Sequence, residues 1–265
     1  MSPFWSRILV AVAGLPLVIG FVWLGGWWLF VLLLVAALIA LHELYVMTRS
    51  LRPLVLAGYA GTLLVLLGAQ LGGIGWMLGG FMTTFALAFL LKGMAETRMP
   101  TTVSVATTVL GAGWIGVGLG HLVLLRAIPV HAQLAALTVV LAVFAGDTAA
   151  YATGRIFGRH KLAPLTSPKK TWEGFVGGSI ACVLVPFFAM YKGHFLSVPQ
   201  SLLLGVVIAI AAPMGDLFES ALKRDMEVKD AGSILAGHGG VLDRLDAILF
   251  AVVASFYLLA AYGVA

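Results

Sequence analysis

The sequence predicts an all-α, polytopic integral membrane protein. Its 265 residues are 61% hydrophobic and only 10% charged, and their mean hydropathy is +1.06. Soluble domains are about half apolar and about a quarter charged. So few charges would not cover the surface of a water-soluble domain of this length, and this excludes an ordinary soluble protein. The lone Cys182 excludes a disulfide or a cysteine metal site within one chain.

Nine apolar segments are each long enough to be predicted as transmembrane helices. A hydrocarbon core of about 30 Å requires roughly 20 helical residues. The first segment follows one arginine and lacks a small-residue cleavage site, so we expect a retained helix rather than a signal peptide. The segments lie near 7–24, 27–47, 53–71, 74–92, 103–125, 132–154, 175–191, 201–218 and 246–262.

The distribution of charge predicts a cytoplasmic N-terminus. This orientation leaves only Arg126 and Lys192, of the 16 lysines and arginines, on the outer side, as the positive-inside rule requires. It also puts the 11 acids on or near the inner side. Carboxylates contribute little to topology, so we infer a cytoplasmic function that uses both signs of charge. The net charge of +5 is attributed to topology and anionic lipid headgroups rather than to nucleic acid.

Two parts of the chain are therefore expected. Residues 1–130 would form N-terminal transmembrane helices. Residues 131–265 would form a catalytic transmembrane region with cytoplasmic loops at 155–174 and 219–245.

The first loop, and the helix before it, carry candidate functional residues. Asp147 should lie about 10 Å below the headgroups, where an ionisable residue indicates function by default. A bond to Arg155 is the alternative. Adjacent lysines with hydroxyls in a proline-containing loop suit a phosphate chain, although a lipid-headgroup anchor is the alternative for them. These loop residues are Ser167, Lys169, Lys170 and Thr171.

The second loop follows a helix with a polar face. Asp216, Glu219 or Ser220, and Lys223 have the spacing of one helical face. The glycines of "GHGG" at 237–240 allow backbone N–H groups to approach an anion closely. This predicts a phosphate contact.

The last helix is predicted to start with two carboxylates one turn apart, Asp243 and Asp246. Together with Asp216 they resemble a hard-cation site of the kind that binds Mg²⁺ with a phosphate. Glu43 is interpreted as a helix-end residue rather than as an active-site residue. Small residues spaced four apart, such as Gly174 and Gly178, predict close helix packing.

These motifs resemble the phosphatidate cytidylyltransferase (CDP-diacylglycerol synthase) family. The resemblance is close over roughly residues 140–250, including "DTAAYATGR" and "SPKKTWEG". The signature is matched by Ser220, Lys223, Arg224, Lys229, Asp230, His238, Gly239, Gly240, Asp243, Arg244 and Asp246. Ala236 stands where the family usually has proline or glycine, which keeps open a paralogue that acts on another phospholipid-like acceptor.

The resemblance implies transfer of CMP from CTP to phosphatidate, with Mg²⁺, in the bacterial cytoplasmic (inner) membrane, and is compatible with a homodimer. We assign catalytic roles to Asp147, Lys223, Arg244 and His238, and metal ligation to Asp216, Asp243 and Asp246. Substrate binding is assigned to Ser167, Lys169, Lys170, Thr171, Ser220, Arg224, Lys229, Asp230, Gly239 and Gly240. A CTP-dependent polyprenol-type kinase, a transporter and a lipid-binding scaffold are the alternatives.

Overall fold

A computed structural model of the chain describes residues 3–95, 99–191, 195–232 and 239–264. The chain divides into two compact units. The first comprises Met1–Leu124 and Met226–Leu245, and the second comprises Leu125–Asp225 and Asp246–Ala265. The loop at 226–245 therefore belongs with the N-terminal helices, and the functional division at residue 130 stays a prediction.

The first unit is built from apolar helices. A 3₁₀ turn, Arg49–Leu51, follows the second helix, and a π-helical stretch, Ala112–Val117, connects the fourth helix to the fifth. The helices are α1 (Pro3–Leu24), α2 (Gly26–Met47), α3 (Val55–Met94), α4 (Thr101–Gly111) and α5 (Gly118–Arg126).

Helix α3 is a helical hairpin rather than one straight rod. Its 40 residues would span about 60 Å if straight, twice the hydrocarbon thickness. Gly73 breaks the helix with a left-handed φ of 69°, a conformation that glycine adopts without a steric penalty. The halves pack antiparallel, since a methyl group added at Gly68 would overlap the backbone of Trp76, and one added at Gly80 would overlap that of Leu64. This agrees with the separate segments predicted at 53–71 and 74–92.

The second unit combines helices with one small antiparallel hairpin. The hairpin pairs Lys161 with Thr171 and Ala163 with Ser167, where the sequence predicted only a loop. The helix that follows the hairpin is extended at its C-terminal end by a π-helical stretch, Phe187–Tyr191. The elements are α6 (Ala132–Phe157), β1 (Lys161–Ala163), β2 (Ser167–Thr171), α7 (Trp172–Pro186), α8 (Val198–Asp225) and α9 (Leu242–Ala261), whose residues from Asp246 belong to this unit.

Glycines allow α6 and α7 to pack closely. A methyl carbon added at Gly174 would lie 2.8 Å from the carbonyl oxygen of Ala150, and one added at Gly178 would lie 2.9 Å from that of Gly146. Small residues let helix backbones approach one another in this way. The predicted packing role of Gly174 and Gly178 is confirmed.

The fold is all-α apart from the hairpin, and the protein is a multi-pass membrane protein. Within the described part of the chain, seven helices are long and apolar enough to cross a membrane, with α4, Ala112–Val117 and α5 together forming one of them. One of the seven is the whole of α3, and α1 contributes a shorter apolar segment, Gly14–Leu24. The count of nine spans stays a prediction.

Candidate active site

The hairpin is held at its base by Glu173 at the start of α7. The Glu173 carboxylate accepts hydrogen bonds from the backbone N–H groups of Arg159 (3.1 Å) and His160 (3.3 Å), and its Oε1 lies 2.6 Å from Nδ1 of His160. At the same end of the hairpin, the hydroxyl of Thr171, the last residue of β2, accepts from the N–H of Gly174 at 3.2 Å and caps α7. Thr171 therefore has a structural role in addition to the substrate role that the sequence predicts.

Lys170 on β2 reaches helix α8. Its Nζ lies 2.7 Å from Oδ2 of Asp216, and the hydroxyl of Ser220 donates to Oδ1 of the same carboxylate at 3.4 Å. Lys169 is exposed, because successive strand residues point to opposite faces. The structure thus brings a predicted phosphate ligand and a predicted metal ligand into direct contact, and it gives the two adjacent lysines different surroundings.

A second ion pair lies one turn further along α8. Nζ of Lys223 is 2.9 Å from Oε2 of Glu219, and the Glu219 side chain is only 1% exposed. Helix α8 continues to Asp225, past the predicted end at 218, so the i, i+4 spacing produces this contact. The sequence left open whether Glu219 or Ser220 belongs to the polar face, and both do.

Asp246 of α9 completes this group. It is 8% exposed and lies within electrostatic range of Asp216 and Glu219. Gly215 permits the approach, because a methyl carbon added there would lie 3.0 Å from the carbonyl carbon of Asp246. The residues of this group, here called the α8 cluster, are Lys170, Asp216, Glu219, Ser220, Lys223 and Asp246.

The α8 cluster combines three carboxylates with two ammonium groups in a partly desolvated place. Charge-assisted hydrogen bonds of this kind are about twice as strong as neutral ones. The lysines are suited to bind phosphate oxygens, and the carboxylates are suited to a hard cation or to orienting the lysines. A group with charges of both signs is better suited to a reaction between two anions than to a simple anchor for anionic lipid headgroups.

In the first unit, Asp243 organises the entry to α9. Its Oδ2 accepts hydrogen bonds from the N–H groups of Gly240 (2.7 Å) and Ala231 (3.2 Å). Gly239 has φ 78°, and a methyl carbon there would lie 2.7 Å from Oδ2 of Asp243. The N–H of Gly240, which the sequence assigned to a substrate phosphate, thus donates to Asp243. A phosphate would have to displace this contact.

The remaining predicted residues are not part of the α8 cluster as it is defined here. Asp147 is exposed on α6, within electrostatic range of Cys182 on α7. Nε of Arg224 donates to the carbonyl oxygen of Thr166 at 3.3 Å. Ser167 is half-buried at the start of β2, and His238 lies outside the described residues. Lys229, Asp230 and Arg244 are also exposed.

Metal ligation was assigned to three aspartates, of which two, Asp216 and Asp246, lie together in the α8 cluster. Asp243 is engaged with the loop of the first unit. Across the ranges that the structure describes, no group of three or more His, Cys, Asp or Glu side chains is arranged to hold a metal ion.

Sequence reasoning assigned no site role to two glutamates, Glu43 and Glu173. Glu43 is the one carboxylate of the apolar helix α2 and is 3% exposed. A buried ionisable residue in a membrane span is by default a sign of function, and this signal could have identified it. Glu173 could have been recognised as an acid in the first turn of a helix capped by Thr171.

The helices define a multi-pass membrane protein, and the α8 cluster adds a group of charged side chains of both signs. Comparison with known proteins identifies the class more closely. The chain belongs to the cytidylyltransferase family, which it matches over residues 5–262. It is therefore a nucleotidyltransferase.

Its relatives include bacterial phosphatidate cytidylyltransferases. The chain is 32% identical to that of Staphylococcus haemolyticus over 249 residues, which cover 92% of this chain and 94% of the relative. It is 34% identical to that of Mycobacterium bovis, with 85% of this chain and 78% of the relative covered. A relative from Staphylococcus saprophyticus is 40% identical over 146 residues, which make up 55% of each chain.

Proposed function

We propose that this protein transfers CMP from CTP to phosphatidate at the cytoplasmic membrane face, giving CDP-diacylglycerol and pyrophosphate. The observation that carries the proposal is the similarity to a phosphatidate cytidylyltransferase over 92% of this chain and 94% of the relative. The proposal includes a location in the bacterial cytoplasmic membrane and is compatible with a homodimer.

The chemistry requires no strongly basic side chain. A phosphate monoester has a second pKa of about 6, so the phosphatidate phosphate is largely dianionic near neutral pH. One of its oxygens attacks the α-phosphorus of CTP. A new P–O bond forms, the bond between the α-phosphorus and the bridging oxygen breaks, and pyrophosphate leaves with the electron pair. The protein's task is to hold two anions in line and to stabilise the charge that develops on the leaving group.

The α8 cluster supplies groups for that task. Lys170 and Lys223 are held in place by Asp216 and Glu219, at 2.7 Å and 2.9 Å. Ammonium groups oriented in advance stabilise developing negative charge without reorganising during the reaction. We assign Lys223 to the phosphates of CTP. Lys170 belongs to the same anion-binding group, and Arg244 is assigned to the phosphates that a bound metal would contact.

A divalent cation fits this group. Mg²⁺ is commonly bound by one or two carboxylates together with substrate phosphates rather than by an all-protein cage, and Asp216 and Asp246 are two such carboxylates on adjoining helices. When bound, Mg²⁺ would neutralise charge on the phosphates. Asp243, in the first unit, stays a ligand predicted from the sequence, and because a carboxylate has about four lone-pair sites it could bind a cation while keeping its contacts to the loop.

The test is an assay of the purified full-length protein with CTP and phosphatidate in mixed micelles. CDP-diacylglycerol and pyrophosphate should form in equal amounts and only with a divalent cation. Release of CDP would instead indicate a lipid kinase. Reaction with another phospholipid-like acceptor, but not with phosphatidate, would indicate the paralogue.

A further inference from the structure

Glu43 is a buried carboxylate in contact with the start of α9. Its side chain is 3% exposed, and Oε2 accepts a hydrogen bond from the N–H of Leu242 at 2.8 Å. Leu242 is the first residue of α9 and is fully buried. The first N–H groups of a helix have no partner within the helix, and a buried N–H without a partner is costly. Glu43 supplies that partner, and its negative charge also suits a helix N-terminus.

Two glycines close around the same carboxylate. A methyl carbon added at Gly232 would lie 2.6 Å from Cδ of Glu43, and one added at Gly240 would lie 2.7 Å from Oε1. Neither glycine adopts the left-handed conformation, so the backbone at these positions would accept alanine. The Glu43 side chain leaves no room for it.

Asp243 holds the same segment through different atoms. It binds the N–H groups of Ala231 and Gly240, whereas Glu43 binds that of Leu242 and contacts Gly232. The two carboxylates therefore fix the backbone at 231–232 and at 240–242. The second of these stretches leads into Asp243 and Arg244. All of these residues belong to the first unit.

We propose that Glu43 is a positioning residue. Through its reach to Leu242 and its contacts with Gly232 and Gly240, it fixes the backbone that presents Asp243 and Arg244 to the reacting phosphates. The kinetic consequence rests on the proposed function, whereas the ordering of the segment does not. The acceptor oxygen and the length of the Glu43 side chain are essential for this role, and the charge of Glu43 contributes less.

Three substitutions separate these properties. Glu43→Gln retains the length and an acceptor oxygen, Glu43→Asp retains the charge but is one methylene shorter, and Glu43→Ala removes both. A displacement of about 1 Å in a catalytic group can cost on the order of 100-fold in rate. We expect kcat to fall by about 100-fold in the Asp and Ala variants, with KM for CTP changed less than about threefold. The Gln variant should keep kcat within about tenfold of wild type.

Gly232→Ala tests the contact from the opposite side. Alone, it should lower kcat because the added methyl group displaces the Glu43 carboxylate. In the Glu43→Ala background the methyl group has space, so it should cause no further loss, and the double-mutant cycle should be strongly non-additive. Gly79→Ala is the matched control, because a methyl group there meets no atom within 4 Å and should leave kcat unchanged.

Hydrogen exchange provides a readout that does not depend on activity. The Leu242 amide should exchange several-fold to about tenfold faster in Glu43→Asp, Glu43→Ala and Gly232→Ala, which is the range expected for loss of one hydrogen bond. In Glu43→Gln it should exchange at the wild-type rate. Unchanged exchange in Glu43→Asp and Gly232→Ala would overturn the proposal. Additive effects on kcat in the double-mutant cycle would also overturn it. So would a loss of kcat in Glu43→Gln as large as that in Glu43→Asp. Wild-type protein that makes no CDP-diacylglycerol would refute the proposed function, while the exchange data would still decide the role of Glu43.

Discussion

Lys170 of β2 forms an ion pair with Asp216 of α8, with 2.7 Å between Nζ and Oδ2 and side chains that are 21% and 37% exposed. This contact ties the hairpin to the helix that carries the α8 cluster. It also distinguishes two adjacent lysines that are equivalent in sequence, because Lys169 points away and is exposed.

Lys170→Gln should impair the enzyme far more than Lys169→Gln. Lys170 is proposed to hold a substrate phosphate in a partly buried site, and a charge-assisted hydrogen bond of that kind is worth about 1.5–3 kcal/mol, which corresponds to a loss of roughly 10- to 150-fold in kcat/KM. Lys169→Gln removes an equal charge from an exposed position and should cost no more than a few-fold. Steady-state kinetics of the two variants, at matched expression in the membrane, provide the measurement. Equal effects would mean that the lysines act only as a diffuse anionic-lipid anchor.

Asp216→Asn and Asp246→Asn should each abolish most turnover. Each change keeps the size of the side chain but removes one charged ligand of the proposed cation. Loss of a positioned metal costs several kcal/mol of transition-state stabilisation, or about a thousandfold in rate. Titration of activity with Mg²⁺ should show a raised requirement in any variant that retains turnover. More than about a tenth of the wild-type rate at saturating Mg²⁺ would remove that aspartate from the metal site, and the same criterion applies to Asp243→Asn.

Lys223→Gln combines two effects that a double mutant can separate. Removing Lys223 leaves the buried Glu219 carboxylate without this ion pair, and breaking such a pair typically costs about 3–5 kcal/mol of stability. Glu219→Gln in the same chain removes that electrostatic penalty. We expect the double variant to recover thermal stability but not kcat, because Lys223 is also assigned to the CTP phosphates. Recovery of both would show that the pair is structural.

The predicted topology can be tested with reporters. A reporter that is active only in the cytoplasm should be active when inserted within 159–170 or 225–237, and inactive when fused to the C-terminus. The reason is the excess of lysine and arginine assigned to the inner side. Each fusion protein should first be shown to accumulate in the membrane at a comparable level. A cytoplasmic C-terminus would require an even number of spans instead of nine.

The sequence by itself determined the class of the protein and predicted the kind of chemistry that is proposed for it. Apolar segments of membrane-spanning length specify helices because backbone polar groups must be satisfied internally in lipid. Local spacing also predicted contacts within one helix, such as the one between Asp216 and Ser220, because i and i+4 share a face.

Only the tertiary structure decided which residues from different elements meet. Lys170 reaches Asp216 because β2 folds back beside α8, and nothing in the spacing of residues 170 and 216 indicates this. The contact between Glu43 and Leu242 joins residues 199 positions apart. The N–H of Gly240 could equally have served a substrate phosphate, and the folded loop directs it to Asp243 instead. Spacing along a chain constrains neighbours on one helix or strand, whereas packing brings distant charges together, and this is why Glu43 was interpreted as only a helix-end residue.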